Sequence, residues 1–190
     1  MDCGEDEVQQ KSLMEGRCLD ALVRGLMPPL CVLLSGDLGA GKTTLARRIL
    51  RGLGWDGEVP SPTFTLVQPY VLKDFEVWHI DAWRLKSPAE ALALDLETAF
   101  ARHITLIEWP EKIAPLLPPE WLKITLTVGE DGGRTYGFSA AGERAGMLVE
   151  EIEKQRRLRD AVAEGIADAD AGRFVDGKTL MRELKKPYLF

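Results

Sequence analysis

The chain has 190 residues, of which 45% are hydrophobic and 28% charged, and this balance excludes an intrinsically disordered protein. A formal net charge of -6 argues against a broad surface that tracks nucleic-acid phosphates. Three cysteines without metal-ligand spacing argue against structural zinc or a disulfide framework, and no apolar stretch is long enough to span a bilayer.

The first segments of the chain predict a helix followed by a buried strand. The acidic N-terminus lacks the basic start and apolar run of a secretory signal, so we expect a cytoplasmic protein with no membrane partner. Apolar residues at helical spacing predict an amphipathic helix from residue 7 to about residue 26, before Pro28 and Pro29. The unbroken apolar run at residues 30–34 predicts a strand buried on both faces of a parallel sheet.

A glycine-rich turn follows this strand, and residues 36–43 have the sequence GDLGAGKT, which satisfies the pattern G-x-x-x-x-G-K-[ST]. Its glycines let backbone N–H groups turn inward around a phosphate. Lys42 can then reach the β- and γ-phosphates, and the Thr43 hydroxyl can bind Mg²⁺. The alternative is a turn that binds nothing. The strand before the turn and the amphipathic helix after it, with Gly54 at its C-cap, favour nucleotide binding.

The next elements complete a nucleotide-binding core. Residues 64–71 and 77–80 predict two strands joined by a short turn. Ser87, Pro88 and the capping-box Glu90 predict a helix that runs to about Ala101. We therefore predict a three-layer α/β fold with a mostly parallel central sheet and an antiparallel portion, and a nucleotide at the carboxyl ends of the strands. The remaining strands of this fold are predicted at residues 104–107, 121–128 and 135–139, the last two as a hairpin.

Two carboxylates end apolar strands, Asp81 and Glu108, and either can hold Mg²⁺ or orient the attacking water. Each has the alternative of a solvated strand-end acid, and the sequence leaves open which one approaches the metal. Residues 61–63, with the sequence SPT, lie where switch segments commonly sense the γ-phosphate, or form a plain proline turn. Trp109 can stack on a base or pack in the core.

The candidate residues are therefore as follows. The nucleotide-binding candidates are Asp37, Leu38, Gly39, Ala40, Gly41, Lys42, Thr43, Thr44 and Trp109, although the position of Thr44 favours an ordinary helix residue over a second ligand. The catalytic candidates are Lys42, Asp81 and Glu108, and the candidate ligands of Mg²⁺ are Thr43, Asp81 and Glu108.

The chain changes character at about residue 141, where a highly charged stretch with apolar residues at helical spacing begins. We divide the chain into a nucleotide-binding domain at residues 1–140 and a helical extension at residues 141–190. Residues 172–179 also fit the phosphate-loop pattern, but no buried strand precedes them, and Phe174 and Val175 are bulky. Residues 164–168 and 172–177 faintly resemble the C-terminal part of ParD- or RelB-type antitoxins, which suggests that the extension binds a protein.

Taken together, the motifs resemble the bacterial TsaE proteins, also called YjeE. The resemblance covers about residues 10 to 140 and rests on four motifs in order, at residues 34–44, 61–64, 79–85 and 107–111. It implies a small P-loop ATPase that acts in tRNA threonylcarbamoyladenosine synthesis with TsaD and TsaB and meets tRNA only through that complex. TsaD would transfer the threonylcarbamoyl group to adenosine 37, and ATP turnover would reset the complex between cycles.

The resemblance also implies residue roles. Lys42 would contact phosphates, Thr43 and Asp81 would hold Mg²⁺, residues 61–64 would form a switch, and Glu108 with Trp109 would lie beside the nucleotide. The chain departs from the family pattern in two places: Trp83 replaces a usual tyrosine, and typical members end near residue 141.

Two other functions use the same phosphate loop. A small-molecule kinase would need an arginine-bearing lid, and no compact arginine cluster serves as one. A nucleotide-gated binding module would act through the C-terminal tail and would combine slow hydrolysis with strong nucleotide-dependent partner binding.

Overall fold

The computed structural model describes residues 17–170, which form a six-stranded sheet with helices on both faces. The first part of the predicted N-terminal helix, before residue 17, lies outside the described residues. The second glycine-rich pattern at residues 172–179, and the antitoxin-like residues 172–177 within it, also lie outside them. In the described part of the chain, no helix is both long enough and apolar enough to cross a membrane.

The secondary-structure elements follow the order that a nucleotide site requires. In chain order they are α1 (Arg17–Gly25), β1 (Leu30–Gly36), α2 (Lys42–Gly52), β2 (Val67–Val71), β3 (Glu76–Asp81), α3 (Pro88–Ala91), a 3₁₀ turn (Leu92–Leu94), α4 (Leu96–Arg102), β4 (Ile104–Glu108), a second 3₁₀ segment (Pro110–Leu116), β5 (Trp121–Val128), β6 (Arg134–Ala141) and α5 (Glu143–Asp170).

The strand order across the sheet is β2-β3-β4-β1-β5-β6. The four inner strands run parallel, whereas β2 pairs antiparallel with β3 at one edge and β6 pairs antiparallel with β5 at the other. This arrangement confirms the predicted three-layer α/β fold with a mostly parallel sheet and an antiparallel portion. Because the inner strands are parallel, β1, β3 and β4 all deliver their last residues to one edge, where the glycine-rich turn lies.

Strand β1 is buried on both faces because it lies in the centre of the sheet. Leu30, Val32 and Leu34 point into a core shared with α1, α2 and the start of α5. Cys31 and Leu33 point into a second core, which is shared with α3, α4 and the segment after β4. This two-sided burial explains why the strand is an unbroken apolar run, as all-parallel strands are.

The first turns of α5 belong to the larger core. Ala145, Leu148 and Ile152 are buried against α1 and the β5–β6 hairpin. The contact with α1 is close, because a Cβ added at Gly25 would lie 2.3 Å from Leu148 Cδ1. Further along α5, Val162 and Ile166 are 51% and 58% exposed. The division at residue 140 stays a prediction, since part of the helix after it packs against the residues before it.

Two local predictions were wrong in their boundaries. The helix predicted from residue 87 to about residue 101 is interrupted at Asp95, which has a left-handed conformation with a φ of 52°, so that α3 and α4 are separate. The predicted capping box also does not form. Ser87 makes no side-chain cap, and the Glu90 carboxylate accepts a hydrogen bond from Lys86 N at 3.1 Å instead.

The strand predicted at residues 64–71 begins only at Val67. The chain before it turns, with Leu66 N donating to Pro62 O at 2.6 Å and Leu66 at a φ of 65°. Pro62 fixes the backbone in a turn conformation, and this local constraint outweighs the strand preference of the residues after it.

Candidate functional site

The glycine-rich turn between β1 and α2 has the backbone conformation that a phosphate cradle needs. Gly36, Gly39 and Gly41 have φ values of 141°, 80° and 103°, a region that side chains with a Cβ rarely adopt. At Gly36 space is also limiting, because an added Cβ would lie 2.4 Å from the Leu126 carbonyl oxygen. The turn opens directly into the N-terminus of α2, where free N–H groups attract anions.

Lys42 lies under this turn and is only 4% exposed. Its Nζ donates hydrogen bonds to the carbonyl oxygens of Gly36 and Asp37 at 2.7 and 2.8 Å and lies 3.7 Å from the centroid of the Trp109 ring. Burial lowers the pKa of Lys42, and surrounding carboxylates oppose this effect, the largest opposition coming from Glu108. The ammonium group is therefore held in place beside the turn, among carbonyl oxygens and carboxylates.

The two predicted acids meet at the same edge of the sheet. Asp81 and Glu108 are the last residues of β3 and β4, are paired in register, and are 4% and 3% exposed. Thr43 Oγ1 donates to Glu108 Oε2 at 2.9 Å, and Thr63 Oγ1 donates to Asp81 Oδ2 at 2.6 Å. One hydroxyl from the start of α2 and one from the segment before β2 thus reach one carboxylate each.

His79 forms a hydrogen bond with Glu108 from the neighbouring strand. This histidine is fully buried on β3, and its Nε2 lies 2.8 Å from Glu108 Oε1, to which it donates a hydrogen bond. Its Nδ1 has no hydrogen-bond partner among residues 17–170. From the sequence, a packed or an exposed strand residue was the expectation for His79, in preference to a catalytic base, and the structure shows the packed one. Its contact means that both oxygens of Glu108 are engaged, one by His79 and one by Thr43.

These residues surround an open cavity of about 350 Å³ at the carboxyl edge of the sheet. Trp83 and Trp109 form part of its wall, with ring centroids 4.3 Å apart. Of the predicted nucleotide-binding residues, Asp37 and Ala40 do not line it. The lining residues are Leu38, Gly39, Gly41, Lys42, Thr43, Thr44, Thr63, Asp81, Trp83, Glu108 and Trp109.

Two lining residues were missing from the predicted set. Thr63 belongs to the SPT sequence, which was treated as a switch or a plain turn, and only its hydrogen bond to Asp81 places it in the site. Trp83 was noted as a departure from a family pattern, and its packing on Trp109 places it in the cavity wall. The sequence motifs that contain Thr63 and Trp83 were the clue that could have assigned both to the site. The spacing of residues 63, 83 and 109 in the chain does not show that they lie together.

The oxygen atoms at the cavity are of the kind that Mg²⁺ prefers. Within residues 17–170, no group of three or more His, Cys, Asp or Glu side chains forms a metal site by itself. A magnesium ion that is held partly by phosphates and water needs only one or two carboxylates and a hydroxyl from the protein. Thr43, Asp81 and Glu108 offer that set and therefore fit the ion.

Comparison with known proteins gives a consistent result. A family model described as threonylcarbamoyl adenosine biosynthesis protein TsaE matches residues 9–136. The tRNA threonylcarbamoyladenosine biosynthesis protein TsaE of Rickettsia bellii is 43% identical over 115 residues, which are 60% of this chain and 80% of that protein. The protein of the same name from Bacillus subtilis is 38% identical over 125 residues, which are 66% of this chain and 78% of that protein. The crystal structure of Bacillus subtilis YdiB matches with a TM-score of 0.61 and 31% identity and covers 75% of this chain and 90% of that one.

Proposed function

This chain belongs to the TsaE family of threonylcarbamoyl adenosine biosynthesis proteins, and from that membership we propose that it is the ATP-hydrolysing component of tRNA threonylcarbamoyladenosine synthesis. In this proposal it binds Mg·ATP on the turn at residues 36–43 and acts in the cytoplasm with TsaD-like and TsaB-like proteins. It meets tRNA only through them.

The observation that carries the proposal is the convergence of a phosphate turn, a buried lysine and two strand-end carboxylates on one cavity. In the proposed complex, backbone N–H groups of the turn and of the first turn of α2 donate to phosphate oxygens. Lys42 balances the negative charge of the β- and γ-phosphates as a point charge. The low exposure of Lys42, Asp81 and Glu108 supports this role, because charges act more strongly on a reacting phosphate when water is excluded.

Thr43, Asp81 and Glu108 are proposed to hold the magnesium ion, which when bound neutralises charge on the phosphates. The hydrogen bonds of the two carboxylates suggest different roles for them. Glu108 accepts hydrogen bonds from His79 and Thr43, whereas Asp81 accepts one from Trp83 N and one from Thr63, which belongs to the segment that resembles a switch. We therefore propose that Asp81 couples that segment to the ion, and that Glu108 orients the Thr43 hydroxyl or the attacking water.

The experiment compares matched pairs of variants. Lys42→Ala should lose detectable ATP binding in calorimetry with magnesium present, whereas Lys73→Ala, in the exposed turn between β2 and β3, should bind ATP as the unmodified protein does. Asp81→Asn should lower magnesium-dependent ATP turnover by about 100-fold, and the control Asp74→Asn, in the same exposed turn, should not change it. ATP binding or turnover that survives Lys42→Ala unchanged would refute the assignment of the turn.

The partner part of the proposal needs a separate test. ATP turnover should rise when purified TsaD-like and TsaB-like proteins from the same cell are added, and a pull-down should recover more of them with ATP than with ADP. If the chain hydrolyses ATP alone and neither protein changes the rate or binds, the ATPase assignment stands and the partner assignment fails.

A further inference from the structure

Glu111 and Ser35 form a hydrogen bond beside the cavity, and the proposed function gives it no role. Ser35, the residue before the last one of β1, is 9% exposed, and its Oγ donates to Glu111 Oε1. Glu111 is exposed and is the second residue of the 3₁₀ segment after β4. Neither residue lines the cavity, so any effect of the pair on a ligand passes through another residue.

Trp109 lies between the two points at which the chain after β4 is attached to β1. Before it, Glu108 pairs in register with Leu34, and Trp109 N donates to Leu34 O at 3.3 Å. After it, Glu111 accepts the hydrogen bond from Ser35. Trp109 and the proline that follows it therefore form a short bridge, and both ends of this bridge are held on consecutive residues of one strand.

The backbone of Trp109 needs such support. Its φ of 58° and ψ of 50° lie in the left-handed region, which is unfavourable for a residue with a Cβ and persists only where surrounding contacts enforce it. In this conformation the centroid of the ring lies 3.7 Å from Lys42 Nζ, and the ring packs on Trp83 in the cavity wall. The hydrogen bond of Glu111 is therefore one of the contacts that set the position of the ring.

The charge of Glu111 separates a positioning role from an electrostatic one. Burial lowers the pKa of Lys42, and Glu111 is one of the carboxylates that oppose this effect, after Glu108 and Asp81. Its negative charge thus lies close to the lysine that would contact the phosphates. By charge alone, removal of Glu111 should tighten the binding of a polyanion such as ATP. A role in positioning Trp109 predicts the opposite result.

We propose that Glu111 is a positioning residue of the nucleotide site, which holds Trp109 over Lys42 through its hydrogen bond with Ser35. This inference rests on the proposed function, because the position of the ring affects affinity only if a nucleotide occupies the cavity that the ring lines. The acceptor oxygen of Glu111 supports nucleotide binding, whereas its negative charge opposes it. Glu111 takes no part in the chemical step.

Calorimetry with ATP and magnesium tests this inference in the full-length chain. Glu111→Ala removes the acceptor for Ser35 and should weaken ATP binding by about tenfold, whereas Glu111→Gln keeps an acceptor oxygen and should bind ATP within about twofold of the unmodified protein. Ser35→Ala removes the donor and no charge, and it should weaken ATP binding about as much as Glu111→Ala does. The control Glu150→Ala removes an exposed carboxylate on α5 and should leave the affinity unchanged.

A second set of variants shows whether the effect passes through Trp109. In a Trp109→Leu background, Glu111→Ala should no longer weaken ATP binding, because the ring that Glu111 positions is absent. A further loss of about tenfold in that background would overturn the proposal. Equal affinities of Glu111→Ala and Glu111→Gln would also overturn it, as would tighter binding by Glu111→Ala.

The unmodified chain separates failure of this inference from failure of the proposed function. If the unmodified chain binds no ATP, the proposed function fails and the role of Glu111 fails with it. If the unmodified chain binds ATP and Glu111→Ala binds it equally well, the proposed function stands and the positioning role alone is refuted.

Discussion

Replacing Ile152 with alanine tests whether the start of the long C-terminal helix is part of the core. Ile152 has no exposed surface and packs with α1 in the larger of the two cores, whereas Ile166, fourteen positions further along the same helix, is 58% exposed. The same substitution at both positions changes helix propensity equally. The difference between Ile152→Ala and Ile166→Ala therefore isolates the contribution of packing to the free energy of unfolding.

The expected difference follows from burial. Removing three buried carbon atoms at Ile152 forfeits about 2.4 kcal/mol of transfer free energy at ~0.8 kcal/mol for each methylene. The cavity that remains between α5 and α1 adds to this cost, which gives a total of about 3 to 4 kcal/mol, inside the usual range of ~2–5 kcal/mol for such truncations. For Ile166→Ala the free energy of unfolding should change by no more than about 0.5 kcal/mol.

Urea unfolding followed by tryptophan fluorescence measures both values. With an m-value of about 2 kcal/mol per molar, the unfolding midpoint of Ile152→Ala should fall by about 1.5 M, and that of Ile166→Ala by less than about 0.3 M. A difference between the two variants of less than about 1 kcal/mol would refute the reasoning. In that case the helix would be an appendage, as the sequence division at residue 140 suggested.

Three further outcomes follow from particular contacts. Gly36→Ala should lower the free energy of unfolding by about 2 kcal/mol or more, because the added Cβ would lie 2.4 Å from a carbonyl oxygen. Gly146→Ala, which has open space around it in α5, should raise the free energy of unfolding by about 0.5–1 kcal/mol. Thermal melts in which the two variants shift equally would contradict this expectation. His79→Ala should lower the free energy of unfolding by about 2 kcal/mol and slow ATP turnover, because it leaves one oxygen of the buried Glu108 without its hydrogen-bond donor. An unchanged midpoint of urea unfolding would argue against that hydrogen bond. Burial raises the pKa of Cys31 to about 12, so its thiol should not react at pH 8 in the folded protein. In a variant with the other two cysteines replaced by serine, iodoacetamide at pH 8 should therefore label the unfolded protein and not the folded one. Rapid labelling of the folded protein would show that the thiol is accessible.

The features that could be predicted from the sequence are those that local chemistry decides. The apolar run at β1 indicated a two-sided strand because burial in a parallel sheet admits few polar residues. Gly54 indicated the end of α2, and it has a φ of 101° directly after the C-cap Leu53. Asp81 and Glu108 were recognised as a pair because each one ends a strand, and parallel strands deliver such residues to the same edge.

The features that could not be predicted depend on contacts between distant residues. Asp95 adopts a left-handed conformation that aspartate tolerates but does not require, so the break between α3 and α4 is set by tertiary packing around them. His79 is distinguished from an ordinary strand residue only by Glu108 on the neighbouring strand. Arg134 follows a glycine-rich hairpin in the sequence, and only the pairing of β6 with β5 brings it to the phosphate turn.

The pairing of Asp81 with Glu108 in the ladder between β3 and β4 has a consequence for changes in chain length. Because interstrand hydrogen bonds set the separation of these two residues, residues inserted into the turn at positions 73–74 would bulge outward at the far end of β3 and leave that separation as it is. A deletion of one residue inside β3 would instead reverse which face each following side chain occupies and turn the aspartate away from the cavity. The protein should accordingly accept peptide tags at that turn and reject the smallest shortening of the strand beside it.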